Sequence, residues 1–370
     1  MSAAYRADHV GSFLRPAEVQ EARAACGAGR LPLEQLHHIE DRAILAALER
    51  QRSLGVDVFT DGEVRRSGFQ NDLVEAVEGF VATARPAVVR IWQGPGGEPQ
   101  EQGTRQVVGG TLRQVRRLTE SQTRFLQAHA PGPVKMTVPS PNQFPASSVQ
   151  AGVTEQFYPT RSALLGALVA IIKGEIAALV ADGVPYIQVD EPRDSYDVDP
   201  KWRQHLRDVG EDPDRMFDEA IAADNACREG IQRQGLTGAM PICRGHNESQ
   251  WYAAGGYAPI AEQLFGSLSV DRDLREYDTA RAGTFAPLRC MPRDKMVVLG
   301  LVSNKEPGVE VQDELRHRID AASCYVPIEN LALSPQCGFA STAAGNRRTE
   351  DEQWRKLELV VETARKVWGS

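Results

Sequence analysis

A basic excess is missing from this sequence: 42 Lys and Arg stand against 50 Asp and Glu, a formal charge of -8. Nucleic acids and anionic membrane surfaces select basic footprints, so neither is an expected partner. Long apolar runs are missing as well. No stretch of about 18 apolar residues occurs, and no membrane span is predicted. The opening residues, MSAAYRADHVGSF, lack the basic-then-apolar layout of a secretion signal, which makes the cytoplasm the expected location. Cysteine is sparse, six in 370 residues, with no C-x-x-C pair and no dense framework of the kind that staples small secreted domains. The thiols are therefore free for packing or for chemistry. No G-x-G-x-x-G turn opens a helix after the first apolar run, which argues against a dinucleotide-binding fold. Internal repeats and low-complexity tails are absent too.

What is present is a rhythm. Short apolar runs rich in β-branched residues occur at 8–12, 56–63, 134–141, 186–192, 239–245, 267–271, 296–303 and 331–338. Between them lie stretches such as LEQLHHIEDRAILAALERQRSLG and SALLGALVAIIKGEIAALVADG, which read as amphipathic helices. Apolar strands alternating with helices imply a parallel sheet covered on both faces. Eight such units predict a single α/β domain over residues 1–370, a (β/α)8 TIM barrel. Residues 80–112 break the rhythm by alternating polar and apolar residues around a Gly/Pro-rich turn. They read as a β-hairpin insertion between the second and third strands: a lid, the contact of a homodimer, or a plain surface excursion.

In a barrel, active-site groups gather at the C-terminal ends of the strands. Those ends carry His9 and Ser12, Asp61 and Glu63, Asp190 and Glu191, Cys243 and His246, Glu276, Ser303 and Asn304, and Cys337. Each alone has an ordinary explanation: a strand-end Asp caps the next helix, and a buried Cys packs as a small hydrophobe. Together they mark a rim. Cys243, Glu276 and Cys337 follow the fifth, sixth and eighth runs, and two thiolates with a carboxylate form a set suited to zinc. Cys26, Cys227, Cys290 and Cys324 sit in helical or loop contexts and read as plain thiols.

The segments HVGSFLRP, DGEVRRSGF, IQVDEP, ICRG, LREYD, VVLGLVSNKEP and LSPQCGF, in that order, resemble the catalytic domain of cobalamin-independent methionine synthase, most closely its short single-domain bacterial relatives. The likeness runs from His9 to Trp368. It implies a barrel shared with uroporphyrinogen decarboxylase and a zinc ion that binds a thiol substrate as thiolate for alkylation. By the resemblance, Cys243, Glu276 and Cys337 match three zinc ligands, while Pro241 stands where the family has a fourth, a histidine. Val10, Gly11 and Ser12 match the turn that holds an amino-acid carboxylate, and Glu63 and Asp190 match the acids that bind its ammonium group. Two further departures are visible. The seventh-strand proton-donating histidine is replaced around Val302 and Ser303, and the folate platform after the third strand reads VPSPNQF, without its tryptophan.

Three outcomes follow for the metal. His246, three residues past Cys243, supplies the missing ligand; or the ion has Cys243, Glu276 and Cys337 alone; or the site has lost metal. Arg65 and Arg66, just past Glu63, are placed either to clamp a substrate anion or to lie in a solvated helical turn. The leading expectation is a transferase that moves a methyl or other alkyl group to a small thiol such as homocysteine, with His9, Glu63, Asp190 and Glu191 as catalytic groups. Its donor is a simple methyl compound, a methylated corrinoid or an epoxide. The alternatives are a lyase or decarboxylase on the same barrel, with altered or absent metal, and a non-catalytic small-molecule binder.

Overall fold

The computed structural model describes residues 5–84, 89–94, 100–103, 105–231 and 234–369. Strands β1 (Val77–Ala82) and β4 (Gln106–Gln114) pair antiparallel, and between them β2 (Val89–Trp92) pairs antiparallel with β3 (Gln100–Gly103). Residues 85–88, 95–99 and 104 of the 80–112 segment lie outside the described residues. The barrel wall is a parallel sheet of β5 (Lys135–Pro139), β6 (Tyr186–Asp190), β7 (Thr237–Ile242), β8 (Arg272–Glu276), β9 (Met296–Val302) and β10 (Leu331–Pro335), neighbouring in that order.

The first two apolar runs complete the (β/α)8 barrel with less regular structure. Ala7 bridges Leu333 on β10, and Phe59 bridges Val134 at the start of β5, each by a single parallel bridge. The seam between these two runs is closed largely by side chains. His9 Nε2 donates to the Val58 carbonyl at 3.0 Å, Thr60 Oγ1 to the Gly11 carbonyl at 2.8 Å, and the Ala7 amide to Asp57 Oδ2 at 2.9 Å. One backbone bond, Phe13 N–H to Gly62 O at 2.9 Å, ties the rim. Gly11 and Gly62 both have positive φ, so the chain turns out of the extended region before a ladder can grow.

The sixth strand corrects the sequence reading. Residues 267–271 were the expected run, yet Ser267 ends a helix (Ala261–Ser267) and the strand is Arg272–Glu276, four of whose five residues are charged and all of which are buried. Apolar periodicity cannot find such a strand. It forms because each charge has a partner: Arg275 pairs with Asp273, Arg272 with Asp8 at 3.2 Å, and Glu276 with Arg281 at 3.0 Å. A main hydrophobic cluster lies between sheet and helices. A second, smaller one takes Val58, Tyr186, Ala239, Leu274, Val298 and Ala332 from successive strands and fills the barrel below the rim.

The helix Arg161–Ala181 departs from expectation twice. It is apolar on nearly all faces instead of amphipathic, and it is long and apolar enough to cross a membrane by length and composition. It nevertheless packs on the helix Pro213–Arg228 and carries the buried Glu175. That carboxylate accepts from the Leu118 and Thr119 amides at 2.9 and 3.2 Å, from Thr119 Oγ1 at 2.7 Å and from Arg117 Nη2 at 3.1 Å. Glu175→Ala is expected to cost about 3 kcal/mol in chemical denaturation, because four donors lose one buried acceptor. A loss under about 1 kcal/mol would show that water replaces the carboxylate.

Candidate active site

Strand β7 ends at Ile242 and delivers Cys243 to the rim. Its partner is Cys337, two residues past β10: the thiols are hydrogen-bonded to each other. The bond from Cys337, aided by the Gly245 amide, lowers the Cys243 thiol below its ordinary range. The same bond, together with burial, raises Cys337 well above it. Gly245, at φ +91, makes the turn after Cys243. A Cβ there would stand 2.4 Å from the Tyr252 ring and 3.0 Å from Trp92, so only glycine fits.

Glu276, the last residue of β8, stands beside the thiols. Burial works against its charge, but Lys305, Arg244 and Arg281 outweigh it and hold the carboxyl at about 2. Its Oε2 accepts from the Arg244 amide and Gln336 Nε2, both at 2.7 Å. Lys305, three residues past β9, is 2% exposed, and among the described residues its Nζ has no hydrogen-bond partner. Its charge acts on Cys243, Cys337 and Glu276 together. His246 is buried and pushed down to about 3 by burial first and Lys305 second, so it is neutral. Its ring nitrogens meet Ser341 Oγ at 3.5 Å and Asn346 Nδ2 at 3.1 Å.

Two cavities meet at this point. The first, about 50 Å³, is lined by Val10, Ser12, Glu63, Asp190, Cys243 and Cys337 among others. Glu63 has φ +55, a strained backbone held by Asp61 Oδ1 accepting from its amide at 2.9 Å. Its carboxylate accepts from Thr137 Oγ1 at 2.9 Å and lies 3.5 Å from Arg66 Nη1. Burial first, then the nearby Glu63, raises the Asp190 carboxyl well above the usual carboxylate range. Glu191 also lines this cavity and is raised by burial. The second cavity, about 200 Å³, also borders Cys243 and is lined by His246, Arg90, Trp92, Arg193 and Tyr252 among others.

The rim therefore gathers Cys243, Cys337 and Glu276 near one another and Glu63, Asp190 and Glu191 around the same space. Other expected residues stand elsewhere. His9, Gly11 and Arg66 are not among the described lining residues of either cavity. His9 is a strut of the seam, and burial lowers it to about 4. Arg66 sits behind Glu63, bound by Asp72 at 2.6 Å and by Gln122 and Thr137, so it orients the acid and has no free fork for a substrate anion. Arg65 pairs with Asp41 away from the rim. Among the described residues no three His, Cys, Asp or Glu side chains stand as close as a metal's ligands must. His246 does not join the thiols in a four-membered set. The donors Cys243, Cys337 and Glu276 still suit a thiophilic divalent ion by their chemistry, with two sulfurs in contact and a carboxylate that stays charged.

Four rim residues escaped the sequence reading. Lys305 lies two residues past the point where the run 296–303 ends, in SNKEP. Arg193 follows IQVDEP directly. Arg90 and Trp92 come from the insertion, whose alternation left a lid, a dimer contact and a surface excursion equally open. Gln93 and Trp251 exchange backbone bonds at 2.8 Å and bring it onto the loop after Cys243.

Comparison with known proteins gives concordant findings. The family profile described as cobalamin-independent synthase, catalytic domain, matches residues 6–235 and 255–366. A Bacillus subtilis (strain 168) protein named uncharacterized protein YxjH is 37% identical over 99% of this chain and 95% of its own length. A Saccharolobus solfataricus protein named methionine synthase is 25% identical over 89% of this chain and 86% of its own length. A solved structure from Listeria monocytogenes, described as a candidate vitamin-B12 independent methionine synthase, superposes with a TM-score of 0.75 at 26% identity and covers the whole of both chains.

Proposed function

The chain belongs to the family of cobalamin-independent synthase catalytic domains, and on that premise we propose that it transfers a methyl or other alkyl group to a small amino-acid thiol, homocysteine first. The observation that carries this reading is the contact of Cys243 with Cys337, beside Glu276, on the same cavity as Glu63 and Asp190. Cys243, Cys337 and Glu276 would hold a zinc ion, which when bound supplies the positive charge that keeps a thiol substrate deprotonated.

The chain's own residues do the rest. Glu63 and Asp190 repel each other across the cavity, and a substrate ammonium group between them relieves that repulsion through charge-assisted hydrogen bonds. Arg66 and Thr137 fix Glu63, and Gln188 Nε2 donates to Asp190 Oδ1 at 2.7 Å, so both acids are oriented before substrate arrives. The turn at Val10, Gly11 and Ser12 faces them and is the berth for the substrate carboxylate. With both ends of the amino acid held, its sulfur is directed at the thiol pair.

Wild-type protein purified without chelator should carry one zinc per chain. It should convert homocysteine to methionine with a methyl donor, read by mass spectrometry. Asp190→Asn should weaken turnover roughly 10- to 100-fold through KM, with melting temperature nearly unchanged, since the lost term is a charge-assisted bond to substrate. One observation favours a second reading, a lyase or decarboxylase working without metal: the buried Lys305 Nζ, which has no hydrogen-bond partner among the described residues. Full activity after exhaustive chelation would select that reading over thiol transfer at zinc.

A further inference from the structure

The second cavity holds an unusual pair. Arg90, from the insertion, and Arg193, past β6, are 5% and 9% exposed, and both line it. Among the described residues neither has a carboxylate within ion-pair distance, and each is held by neutral groups. Arg90 Nε donates to Tyr196 OH at 2.6 Å; Arg193 Nη1 donates to the same hydroxyl at 2.9 Å and Arg193 Nε to Gln143 Oε1 at 2.9 Å. Both guanidinium carbons lie 5.5 to 6.0 Å from the Tyr196 and Tyr252 rings. Two like charges, largely removed from water and facing one cavity, repel unless an anion joins them. Guanidinium groups bind carboxylate and phosphate oxygens through paired N–H donors.

Position gives the anion a purpose. Cys243 lines this cavity as well as the first, so a molecule here lies beside the thiol that also borders the space around Glu63 and Asp190. Trp92 and Tyr252, whose rings meet edge to face at 5.0 Å, line the same cavity and give it apolar surface. Resting on the thiol-transfer reading, we infer that the 200 Å³ cavity is the berth of an anionic alkyl donor, whose oxyanion group is held by Arg90 and Arg193. Carboxylate and phosphate share that chemistry. The insertion thereby sets donor specificity: it supplies one of the two arginines and the indole.

Two alkylating probes that differ in charge test this. Iodoacetate and iodoacetamide transfer carbon to a thiolate with loss of iodide, and only the first carries an oxyanion. For Cys243, followed by peptide mass, the iodoacetate-to-iodoacetamide rate ratio in native protein should exceed that of the denatured chain by roughly tenfold or more. Acetate or inorganic phosphate should suppress the excess, and the more effective of the two identifies the oxyanion. Arg90→Gln and Arg193→Gln should bring the ratio back toward the denatured value, while Arg90→Lys, which keeps the charge, should retain part of it. An unchanged ratio in folded Arg90→Gln, or no excess in wild type, overturns the inference. If neither probe modifies native Cys243, as expected of a thiol held by zinc, the ratio is measured on protein stripped of metal by chelator. Calorimetric titration of acetate and phosphate into wild type and Arg90→Gln then still decides the anion site.

Discussion

Cys243→Ser is expected to lower alkyl transfer to homocysteine by roughly 10³-fold or more, about 4 kcal/mol in the barrier, while global stability changes by less than about 1 kcal/mol. Serine has nearly the same shape and accepts the hydrogen bonds that Cys243 now receives from Cys337 and the Gly245 amide. What it cannot provide is a sulfur soft enough for a thiophilic ion. The fit is kept and the chemistry is lost. Cys227→Ser supplies the contrast, because burial drives the Cys227 thiol far above its ordinary range and it sits in the helix Pro213–Arg228, away from the rim. That change should alter stability alone. Single-turnover kinetics, zinc content and melting temperature measured on both variants check the pair. Wild-type turnover in Cys243→Ser would remove the thiol from the mechanism.

The rim was legible because strand ends are punctuated. Cys243, Glu276, Cys337, Glu63 and Asp190 each follow an apolar run or end a strand, and parallel strands deliver such residues to one end of a barrel. Three kinds of information were not legible. Lys305 lies in a run of bends after β9, and nothing in SNKEP says that its charge acts on the thiols. Arg90 and Trp92 depend on the docking of Gln93 against Trp251, a contact separated by more than 150 residues that periodicity does not encode. The position of His246 depends on a loop containing Glu248 and Ser249 at positive φ, and that loop turns the ring toward Ser341 and Asn346.

For the fold, the fifth and seventh strands announced themselves by continuous apolar character, while β8 hid behind four charges. Two of its pairs are local, Arg275 with Asp273 and Glu276 with Arg281, but Arg272 belongs to a charge network around Asp8 whose members lie far apart in sequence. Lys135 on β5 is another case: a lysine opening a buried strand reads as an edge residue until Asp8 is placed beside it. The acids and bases of this network are visible one at a time in the sequence. Their pairing is a property of the closed barrel.

That network gives the largest stability effect expected. Asp8 is fully buried; it receives Lys135 Nζ at 2.5 Å, Tyr186 OH at 2.7 Å and the His9 amide at 2.8 Å, with Arg272 Nη2 at 3.2 Å. Asp8→Asn leaves two buried cations without their counter-charge and should cost about 3–5 kcal/mol, a large part of the roughly 5–15 kcal/mol by which a domain is stable. The pH dependence has a definite sign. Burial alone would raise the Asp8 carboxyl, but Lys135 and Arg272 lower it from 3.8 to about 2. Its stabilisation is therefore complete above pH ~4 and is lost as pH falls toward 2, an amount of about 2 kcal/mol. Urea midpoints across that window should fall for wild type, and the Asn variant should lack this contribution at every pH. The damage should also reach the cavity, because Lys135 donates to Gln188 Oε1 at 3.3 Å and Gln188 Nε2 holds Asp190 and the Val10 carbonyl, each at 2.7 Å. A raised KM for homocysteine would accompany the lost stability. An Asp8→Asn protein within about 1 kcal/mol of wild type would show that the two cations tolerate a neutral partner.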